Sequence, residues 1–383
     1  MMEEQLAHLR RRTRVARCLE CGKCTAMCPL AISGDFSARM IPREDLKEVL
    51  ETHAIGVQRC LTCASCEAVC PQNIHFTQLV QGLRELSADE GAEITCPHGG
   101  ALQSVMRLMA RGETQQNRLE WLTDDLKTEP KKGEVFYWTG CTMYYDAFFP
   151  DPEVQTLNGS KAAIKLLNRM GVTPVVSPDE RCCGHDLLWN GDRKNFELLA
   201  RHNIKLVADS GAETLVISCA EGLRTWKVDY EPYFEGKRPR IMHLTEFVGE
   251  TLQNGSSLRF KSNGQQQRVT FQDPCRMGRH LGIYDPPRQV LQAVPGVELV
   301  EMRRSRRAAV CCAGGPWSYC DHTVKQLQAD RLREAQATGA EVLATACPKC
   351  QLHFRCAMKD PDLKGEIGLK MRDVAELLAD ALE

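Results

Sequence analysis

The segment Cys18-Leu-Glu-Cys21-Gly-Lys-Cys24-Thr-Ala-Met-Cys28-Pro29 decides the fold of the N-terminal part of this chain. The same spacing returns in Cys60-Leu-Thr-Cys63-Ala-Ser-Cys66-Glu-Ala-Val-Cys70-Pro71. In each copy two residues separate the first three cysteines, three residues precede the fourth, and a proline follows it. Such short spacings let one turn of backbone place three thiolates around one inorganic centre, and the proline ends that local turn.

This spacing is typical of the ligand run of bacterial ferredoxins, in which three thiolates hold one 4Fe–4S cluster and the fourth reaches the other cluster. The sequence therefore predicts two 4Fe–4S clusters with crossed ligands. One predicted set is Cys18, Cys21, Cys24 and Cys70, and the other is Cys60, Cys63, Cys66 and Cys28. A zinc ribbon is the alternative, but it expects C-x2-C pairs separated by a longer loop.

Composition narrows the class of protein. The 383 residues leave room for two or three domains, and a formal net charge of −1 gives no general case for binding nucleic acid. The first residues lack the apolar core of a secretory signal, and no apolar run is long enough to span a membrane. Twenty cysteines in such a chain indicate metal binding rather than disulfides. We expect a cytoplasmic protein, associated with a membrane only through a partner subunit.

Thirty-one residues separate the two cysteine motifs, and they contain a predicted helix that begins at Pro42. Ile41, Leu46, Val49 and Leu50 form the apolar stripe of that helix. An insertion of this kind favours an all-α dicluster ferredoxin module over the small β-hairpin type. We assign residues 1–85 to this module and residues 86–133 to a helical connector.

The remainder of the chain contains an internal duplication of domain length. Short apolar runs at 134–139, 173–177 and 214–218 are predicted strands, and runs at 268–272, 297–302 and 341–345 correspond to them. Helical stretches alternate with these strands, which predicts a small parallel α/β layer in each copy. We place the copies at 134–255 and 265–383, with a polar linker over 253–267, and expect an α+β multidomain protein.

Five cysteines follow the strands of the second copy, at the carboxyl edge where open α/β sheets bind ligands. They are Cys275, the adjacent pair Cys311 and Cys312, and the closing pair Cys347 and Cys350. Thirty-five residues separate Cys275 from Cys311, and thirty-four separate Cys312 from Cys347. Together with the ferredoxin motifs, this constellation resembles the cysteine-rich CCG domains of the heterodisulfide reductase family, and the resemblance covers nearly the whole chain.

The resemblance implies that these five cysteines hold one noncubane iron–sulfur cluster, with Cys311 and Cys312 at the catalytic position. The family's Cys-Cys-Gly becomes Cys311-Cys312-Ala313 here, followed by Gly314 and Gly315. Glycine lets backbone amides approach cluster sulfurs, so we expect Gly314 to serve one place later. We count Gly184, Gly314 and Gly315 as residues that line the cluster sites.

The first copy departs further from the family pattern. It has Cys141, Cys182, Cys183 and Cys219, but Gly222 stands where the fifth thiolate is expected. Four thiolates suffice for a further 4Fe–4S cluster or for zinc, but not for the full noncubane set. A third alternative is a decayed scaffold whose cysteines only pack, because free cysteine is a common core residue.

Several other residues are candidate metal ligands or partner-binding residues but belong to no complete motif. Cys96, Cys320 and Cys356 lie outside the patterns and are interpreted as ordinary buried thiols, and Cys96-Pro97-His98 has no second half-site nearby. His185 is either a substitute ligand or a structural neighbour of the first site. The run Arg303-Arg304-Ser305-Arg306-Arg307 either is a solvated loop or attracts an anionic thiol, coenzyme or protein partner.

These patterns predict an oxidoreductase subunit that passes electrons from two ferredoxin clusters to the second copy for thiol, disulfide or related redox chemistry. A pure electron-transfer subunit of a larger complex, quinone-linked or acting in aromatic acyl-CoA reduction, is the second hypothesis. A zinc-containing regulatory scaffold is the third. The chain has no P-loop, no dinucleotide fingerprint and no G-x-S-x-G motif, so we expect flavin chemistry to belong to a partner flavoprotein.

Overall fold

Our computed structural model of the chain describes residues 2–33, 36–41, 46–48, 54–91, 96–112, 115–151, 154–255, 258–261, 266–363 and 365–383. The described residues before position 113 contain helices and turns but no strand, and two separate parallel sheets follow. The predicted fold class, a helical dicluster module before two small parallel α/β domains, is confirmed. In the described part of the chain, no helix is both long enough and apolar enough to cross a membrane.

The N-terminal module is built around two packed helices. Leu6 and Leu9 of the first helix are buried, and Leu79 and Leu83 of the fifth are fully buried. A Cβ at Gly82 would lie 2.5 Å from Leu9 Cδ1, so the glycine permits this close helix contact. The helices of the module and connector are α1 (Met2–Thr13), α2 (Lys23–Met27), α3 (Ala54–Arg59), α4 (Ser65–Ala68), α5 (Phe76–Asp89) and α6 (Ala101–Arg111).

The predicted helix between the two motifs lies largely outside the described residues. Pro42, Val49 and Leu50 are among those not described, whereas residues 46–48 are helical and Leu46 is buried. Helix α5 runs through position 85, where we placed the end of the module, so the predicted domain boundaries stay predictions.

The first copy contains a three-stranded parallel sheet in the order β1–β2–β3. Its strands are β1 (Val135–Trp138), β2 (Thr214–Ile217) and β3 (Arg240–His243). The predicted strand over 173–177 is reduced to two isolated parallel bridges, which Val175 forms with Phe136 and with Glu129. Pro174 beside it has no N–H to donate, which limits the pairing of this edge segment.

The second copy contains a four-stranded parallel sheet in the order β5–β4–β6–β7. Its strands are β4 (Gln267–Gln272), β5 (Val297–Leu299), β6 (Val342–Thr345) and β7 (Lys370–Asp373). Strands β3 and β7 close the two sheets and were not among the predicted elements. Apart from the edge segment at 173–177, the described residues confirm the predicted strand positions.

The helices of the copies repeat in the same order. In the first copy they are α7 (Thr142–Phe148), α8 (Leu157–Arg169), α9 (His185–Trp189), α10 (Arg193–Ser210), α11 (Ala220–Arg224) and α12 (Leu244–Gln253). In the second they are α13 (Gly278–Leu281), α14 (Asp285–Gln292), α15 (His322–Gln336), α16 (Pro348–Met358) and α17 (Val374–Asp380). Short turns of 3-10 or π type lie at 15–17, 29–33, 97–100, 225–229, 231–233, 306–308 and 361–363.

The copies pack in a pseudo-twofold manner. Helix α8 of the first copy contacts α17 of the second, and α14 of the second contacts α12 of the first. Each copy therefore contacts the other through an equivalent pair of helices. The carboxyl ends of strands β2 and β6 both lead to a cysteine, Cys219 and Cys347, and this packing brings those two ends together.

Candidate iron–sulfur sites

The first predicted ligand set lines a single cavity. Cys18, Cys21 and Cys24 of the first motif share this cavity with Cys70 and its neighbour Cys66 from the second. Cys21 is exposed, and Cys18, Cys24 and Cys70 are half-buried. The structure thus brings the predicted set together at the surface of the module.

The second predicted ligand set lines a deeper cavity. Cys60, Cys63 and Cys66 share it with Cys28 from the first motif. Burial, together with the neighbouring Cys63 and Cys60 thiolates, raises the pKa of Cys28 to about 12. Cys28 therefore lies among the cysteines of the other motif, as crossed ligation requires.

Both motifs fold into the same strained loop. Glu20 and Thr62 occupy equivalent positions with φ of 55° and 48°, and Gly22 and Ala64 follow with φ of 75° and 60°. The backbone N–H of Glu20 points at Cys18 Sγ, and that of Thr62 at Cys60 Sγ, each at 3.4 Å. Positive φ at non-glycine residues costs about 1 kcal/mol or more each, and such strain concentrates at ligand-binding loops.

Three buried guanidinium groups bind the carbonyl oxygens of the loop 60–63. Arg84 donates to Cys60 O at 2.7 Å, Arg276 to Thr62 O at 2.7 Å, and Arg279 to Cys63 O at 2.6 Å. Arg84 comes from the module itself, whereas Arg276 and Arg279 come from the second copy, directly after Cys275. The loop is thereby held between two parts of the protein.

None of these three arginines forms an ion pair with a carboxylate among the described residues, and Arg279 Nη2 is buried without a hydrogen-bond partner. Buried cations without counter-ions are costly, so an anionic group is expected beside them. An iron–sulfur core with four thiolate ligands is such an anion. The residues around the second cavity therefore fit an iron–sulfur cluster better than an empty pocket of neutral thiols.

All five predicted cysteines of the second copy converge at the carboxyl edge of its sheet. Cys275 Sγ lies 3.9 Å from Cys311 Sγ, and Cys312 Sγ lies 3.2 Å from Cys350 Sγ. Cys347 lies beside Cys350 and completes the set. His353 Nε2 is a buried atom without a hydrogen-bond partner on the Cys312 side of this set, again consistent with a group bound there.

The first copy assembles only four cysteines. Cys141 Sγ lies 3.4 Å from Cys182 Sγ, and Cys183 and Cys219 complete the set. A Cβ at Gly222 would lie 3.7 Å from Cys219 Cβ and 3.4 Å from Ile217 Cγ2, so a cysteine fits there without displacing its neighbours. The first copy thus lacks the fifth thiolate because its sequence has glycine at position 222, although the fold leaves room for a side chain there.

The cysteine sets form a continuous series. The thiol of Cys63 in the module lies beside that of Cys311 in the second copy, and the thiol of Cys347 in that copy lies beside that of Cys219 in the first. The deeper ferredoxin cavity therefore adjoins the five-cysteine set, which adjoins the four-cysteine set. This order was not readable from the spacing of the motifs.

The predicted glycines occupy positions that need them. The N–H of Gly184 points at Cys182 Sγ at 3.3 Å, and a Cβ there would lie 2.9 Å from Phe196 Cδ2. In the second copy Ala313 takes the corresponding positive φ of 58°, while a Cβ at Gly314 would lie 2.7 Å from His353 Cδ2. Gly315 lies against Leu61 of the ferredoxin loop.

A buried charge cluster at the junction of the copies was missed by the sequence reasoning. Lys349 Nζ lies 2.5 Å from Asp186 Oδ1 and 3.2 Å from Glu221 Oε2. Positions 221 and 349 are equivalent, because each lies two residues after the cysteine that follows a closing strand. The opposite charges at equivalent positions were the sequence signal that could have identified this pair.

His185 is engaged within the protein. Arg276 Nε donates to its Nε2 at 2.9 Å, and its Nδ1 lies 3.0 Å from Asp186 Oδ1. Burial and Arg276 lower the pKa of His185 to about 3, so its ring is neutral. His185, Asp186 and Glu221 are close enough to bind a cation, but the ammonium group of Lys349 already pairs with both carboxylates.

The remaining candidates have local partners. His98 packs against Phe149 and Trp317, and Cys356 Sγ accepts a hydrogen bond from Lys325 Nζ at 3.0 Å. Cys320 is exposed rather than buried, which corrects the interpretation of that thiol, whereas Cys96 and Cys356 are partly buried.

Most of the basic run 303–307 is likewise paired within the chain. Arg304 pairs with Glu334 at 2.9 Å, Arg306 pairs with Asp285 at 2.7 Å, and Arg307 donates to Ala68 O of the module. Arg303 is exposed and has no partner among the described residues. Two of these contacts lie within the second copy and the third joins it to the module, which favours a structural role over partner attraction.

Comparisons with known proteins match this architecture. Residues 14–74 match the 4Fe-4S dicluster domain, and residues 135–221 and 269–355 each match the cysteine-rich domain CCG. The D subunit of the dihydromethanophenazine:CoB–CoM heterodisulfide reductase of Methanosarcina mazei is 32% identical over 275 residues, which cover 70% of this chain and 63% of that protein. The EtfAB:quinone oxidoreductase of Syntrophomonas wolfei is 26% identical over 67% of this chain and 36% of its own length.

Among solved structures, a hypothetical protein from Helicobacter pylori superimposes with a TM-score of 0.54 over 88% of this chain and 66% of that chain. At 12% sequence identity, this likeness concerns the fold alone. The sequence matches and the two cysteine-rich sheets together confirm the predicted resemblance. The chain belongs to the iron–sulfur oxidoreductases of the heterodisulfide reductase type, with a 4Fe-4S dicluster domain followed by two cysteine-rich CCG domains.

Proposed function

We propose that this chain is an electron-transferring oxidoreductase subunit that delivers electrons from its dicluster module to the five-cysteine site of the second CCG domain. The observation that carries the proposal is the contact between Cys63 and Cys311, which joins the deeper ferredoxin cavity to that site. Edge-to-edge proximity of redox groups is the requirement for one-electron transfer. Exposure supports this direction, since Cys21 of the first ferredoxin set is exposed, whereas every cysteine of the other sets is half-buried or buried.

Each predicted ligand set has a defined role in this proposal. The two ferredoxin sets hold 4Fe–4S clusters, and Cys275, Cys311, Cys312, Cys347 and Cys350 hold a noncubane cluster. When bound, these groups accept and release single electrons. The protein excludes water from the inner sites, because Cys311 and Cys312 are only 3% and 6% exposed, and it holds the loop 60–63 against the second copy through Arg276 and Arg279.

The name of the Methanosarcina relative suggests the reduction of a disulfide. We assign this reaction to Cys311 and Cys312. Reduction of one disulfide consumes two electrons and two protons and yields two thiols. We expect the purified chain with reduced methyl viologen to reduce a small disulfide, with two viologen radicals oxidised per disulfide. Cys347→Ser should abolish this turnover, whereas Cys320→Ser, an exposed cysteine outside every set, should leave it unchanged.

A pure electron-transfer role is the second candidate, and two observations favour it. Gly222 leaves the first CCG domain without a fifth thiolate, and Lys349 with Asp186 and Glu221 closes the junction between the two copies. A chain that takes up electrons from viologen but reduces no disulfide would support this candidate. Its acceptor would then belong to another subunit, as the name of the Syntrophomonas relative suggests for a quinone.

Metal content separates the alternatives for the first CCG domain. At four irons per centre, we expect about 12 irons per chain if this domain binds zinc or nothing, and about 16 if it binds a cluster. Anaerobic iron and zinc analysis with Mössbauer spectra measures this directly, and Gly222→Cys should move the spectrum of the first domain toward that of the second. Two equivalent noncubane centres in the unmodified chain would contradict the proposed asymmetry between the domains.

A further inference from the structure

Exposed apolar side chains gather around the first ferredoxin set. Leu19 is 64% exposed, Met40 is 43% exposed and Met27 is 37% exposed. Leu19 lies between Cys18 and Cys21, Met27 follows Cys24 by three residues, and Met40 follows the cavity-lining residues Ala38 and Arg39. The hydrogen bond between Thr25 and Ser37, at 2.7 Å, fastens the two segments together. We call Leu19, Met27 and Met40 the apolar patch.

Cations lie on the same segments of the chain as this patch. Arg14, Arg17 and Lys23 are exposed, and Arg39 lines the cavity with Lys23. Among the described residues, Glu20 is the one carboxylate that lines the same cavity. Residues 10–39 contain seven cations and two carboxylates, a formal charge of +5, although the whole chain carries −1. We call Arg14, Arg17, Lys23 and Arg39 the basic rim.

The basic rim is not used for internal ion pairs. In the described part of the chain, no carboxylate pairs with any of its four cations, in contrast to Arg304 and Arg306 of the run 303–307, which each pair with a carboxylate. An apolar centre with a charged, unpaired border has the anatomy of a transient protein–protein interface. Charge complementarity then specifies a partner with an acidic surface.

We propose that the apolar patch and basic rim form the docking surface for an acidic one-electron carrier protein. This inference rests on the proposed function, because it assigns the entry point of the electrons that the module delivers. Docking there places the carrier beside Cys21, the exposed cysteine of the first set. One electron leaves the reduced carrier, which is oxidised, and the first cluster is reduced by the same electron.

The test is the rate at which a reduced, small acidic ferredoxin reduces the iron-loaded protein, measured anaerobically by stopped flow. Arg14→Glu with Arg17→Glu reverses two rim charges without touching the cavity lining. We expect the second-order rate constant to fall at least about tenfold at low ionic strength. The difference should vanish near 1 M salt, where the Debye length is about 3 Å.

Arg169→Glu with Arg303→Glu is the matched control, because both arginines are exposed and have no partner among the described residues. This control should reduce at the unmodified rate. Reduction by methyl viologen near 1 M salt, where the charge of this cationic dye is screened, should be equal in all three proteins, which separates docking from damage to the cluster. Iron content is measured in parallel, so absent clusters would refute the proposed function separately from the docking surface.

Three outcomes would overturn the docking proposal. The first is an equal loss of rate in the control protein, and the second is a rate that does not depend on Arg14 and Arg17. The third is binding of the unmodified protein to vesicles of anionic lipid that is lost in the Arg14→Glu, Arg17→Glu protein while its ferredoxin kinetics stay intact. That third result would identify the patch as a membrane-facing surface.

Discussion

Replacing Cys28 by serine is expected to remove the cluster of the other motif and to leave the cluster of its own motif in place. Cys28 lines the cavity of Cys60, Cys63 and Cys66, whereas Cys24, four residues earlier, lines the cavity of Cys18 and Cys21. The expected loss is about four irons per chain. Of the two ferredoxin sets, the second is the one that contacts Cys311 in the described part of the chain. Without its cluster, electrons should reach the five-cysteine site only when a dye reduces that site directly.

Cys24→Ser is the matched variant and should show the opposite pattern. It should lose the exposed cluster and keep the second one, so that a small dye still feeds the five-cysteine site through the remaining cluster. Electron paramagnetic resonance of the dithionite-reduced proteins distinguishes the two cases. Uncrossed ligation would make the two variants lose the same cluster, and this result would refute the assignment.

The second large effect is expected on stability. Arg84 is 1% exposed and donates to four backbone carbonyls, which belong to Val57, Gln58, Cys60 and Trp189. Glutamine offers two donors, so Arg84→Gln leaves at least two buried carbonyls without a partner. At about 1–3 kcal/mol for each unsatisfied group, the loss of stability should be about 2 kcal/mol or more.

Anaerobic thermal unfolding and the rate of iron release report this loss. Arg107→Gln is the matched control, because Arg107 pairs with Asp192 at 2.7 Å but its side chain is 49% exposed. An exposed pair of this kind is worth less than about 1 kcal/mol. Equal stability of the two variants would mean that Arg84 is not the link between the module and the first CCG domain.

Local patterns made much of this protein predictable from its sequence. The crossed ligand sets follow from spacing within eleven residues, and the parallel sheets follow from short apolar runs that end at cysteines. Strands β3 and β7 were missed because Arg240–His243 and Lys370–Asp373 are runs of only four residues with two and one apolar side chains. A strand was predicted over 173–177 from its apolar composition, but Pro174 has no N–H for strand pairing and only isolated bridges form there.

Contacts between distant parts of the chain could not be predicted in this way. Arg84, Arg276 and Arg279 share no motif, yet the fold brings all three to one loop of four residues. The junction of Lys349 with Asp186 joins positions 163 residues apart. Such contacts depend on how three folded units pack, and neither periodicity nor spacing contains that information.

The opposite charges at positions 221 and 349 bear on how the duplicated half arose. A twofold dimer of either repeat alone would bring identical residues together, so two carboxylates or two ammonium groups would face each other in a buried place. Like charges in that position repel, whereas Glu221 and Lys349 attract at 3.2 Å. This junction therefore needs two halves whose sequences differ at this position, so a single repeat paired with its own copy could not form it.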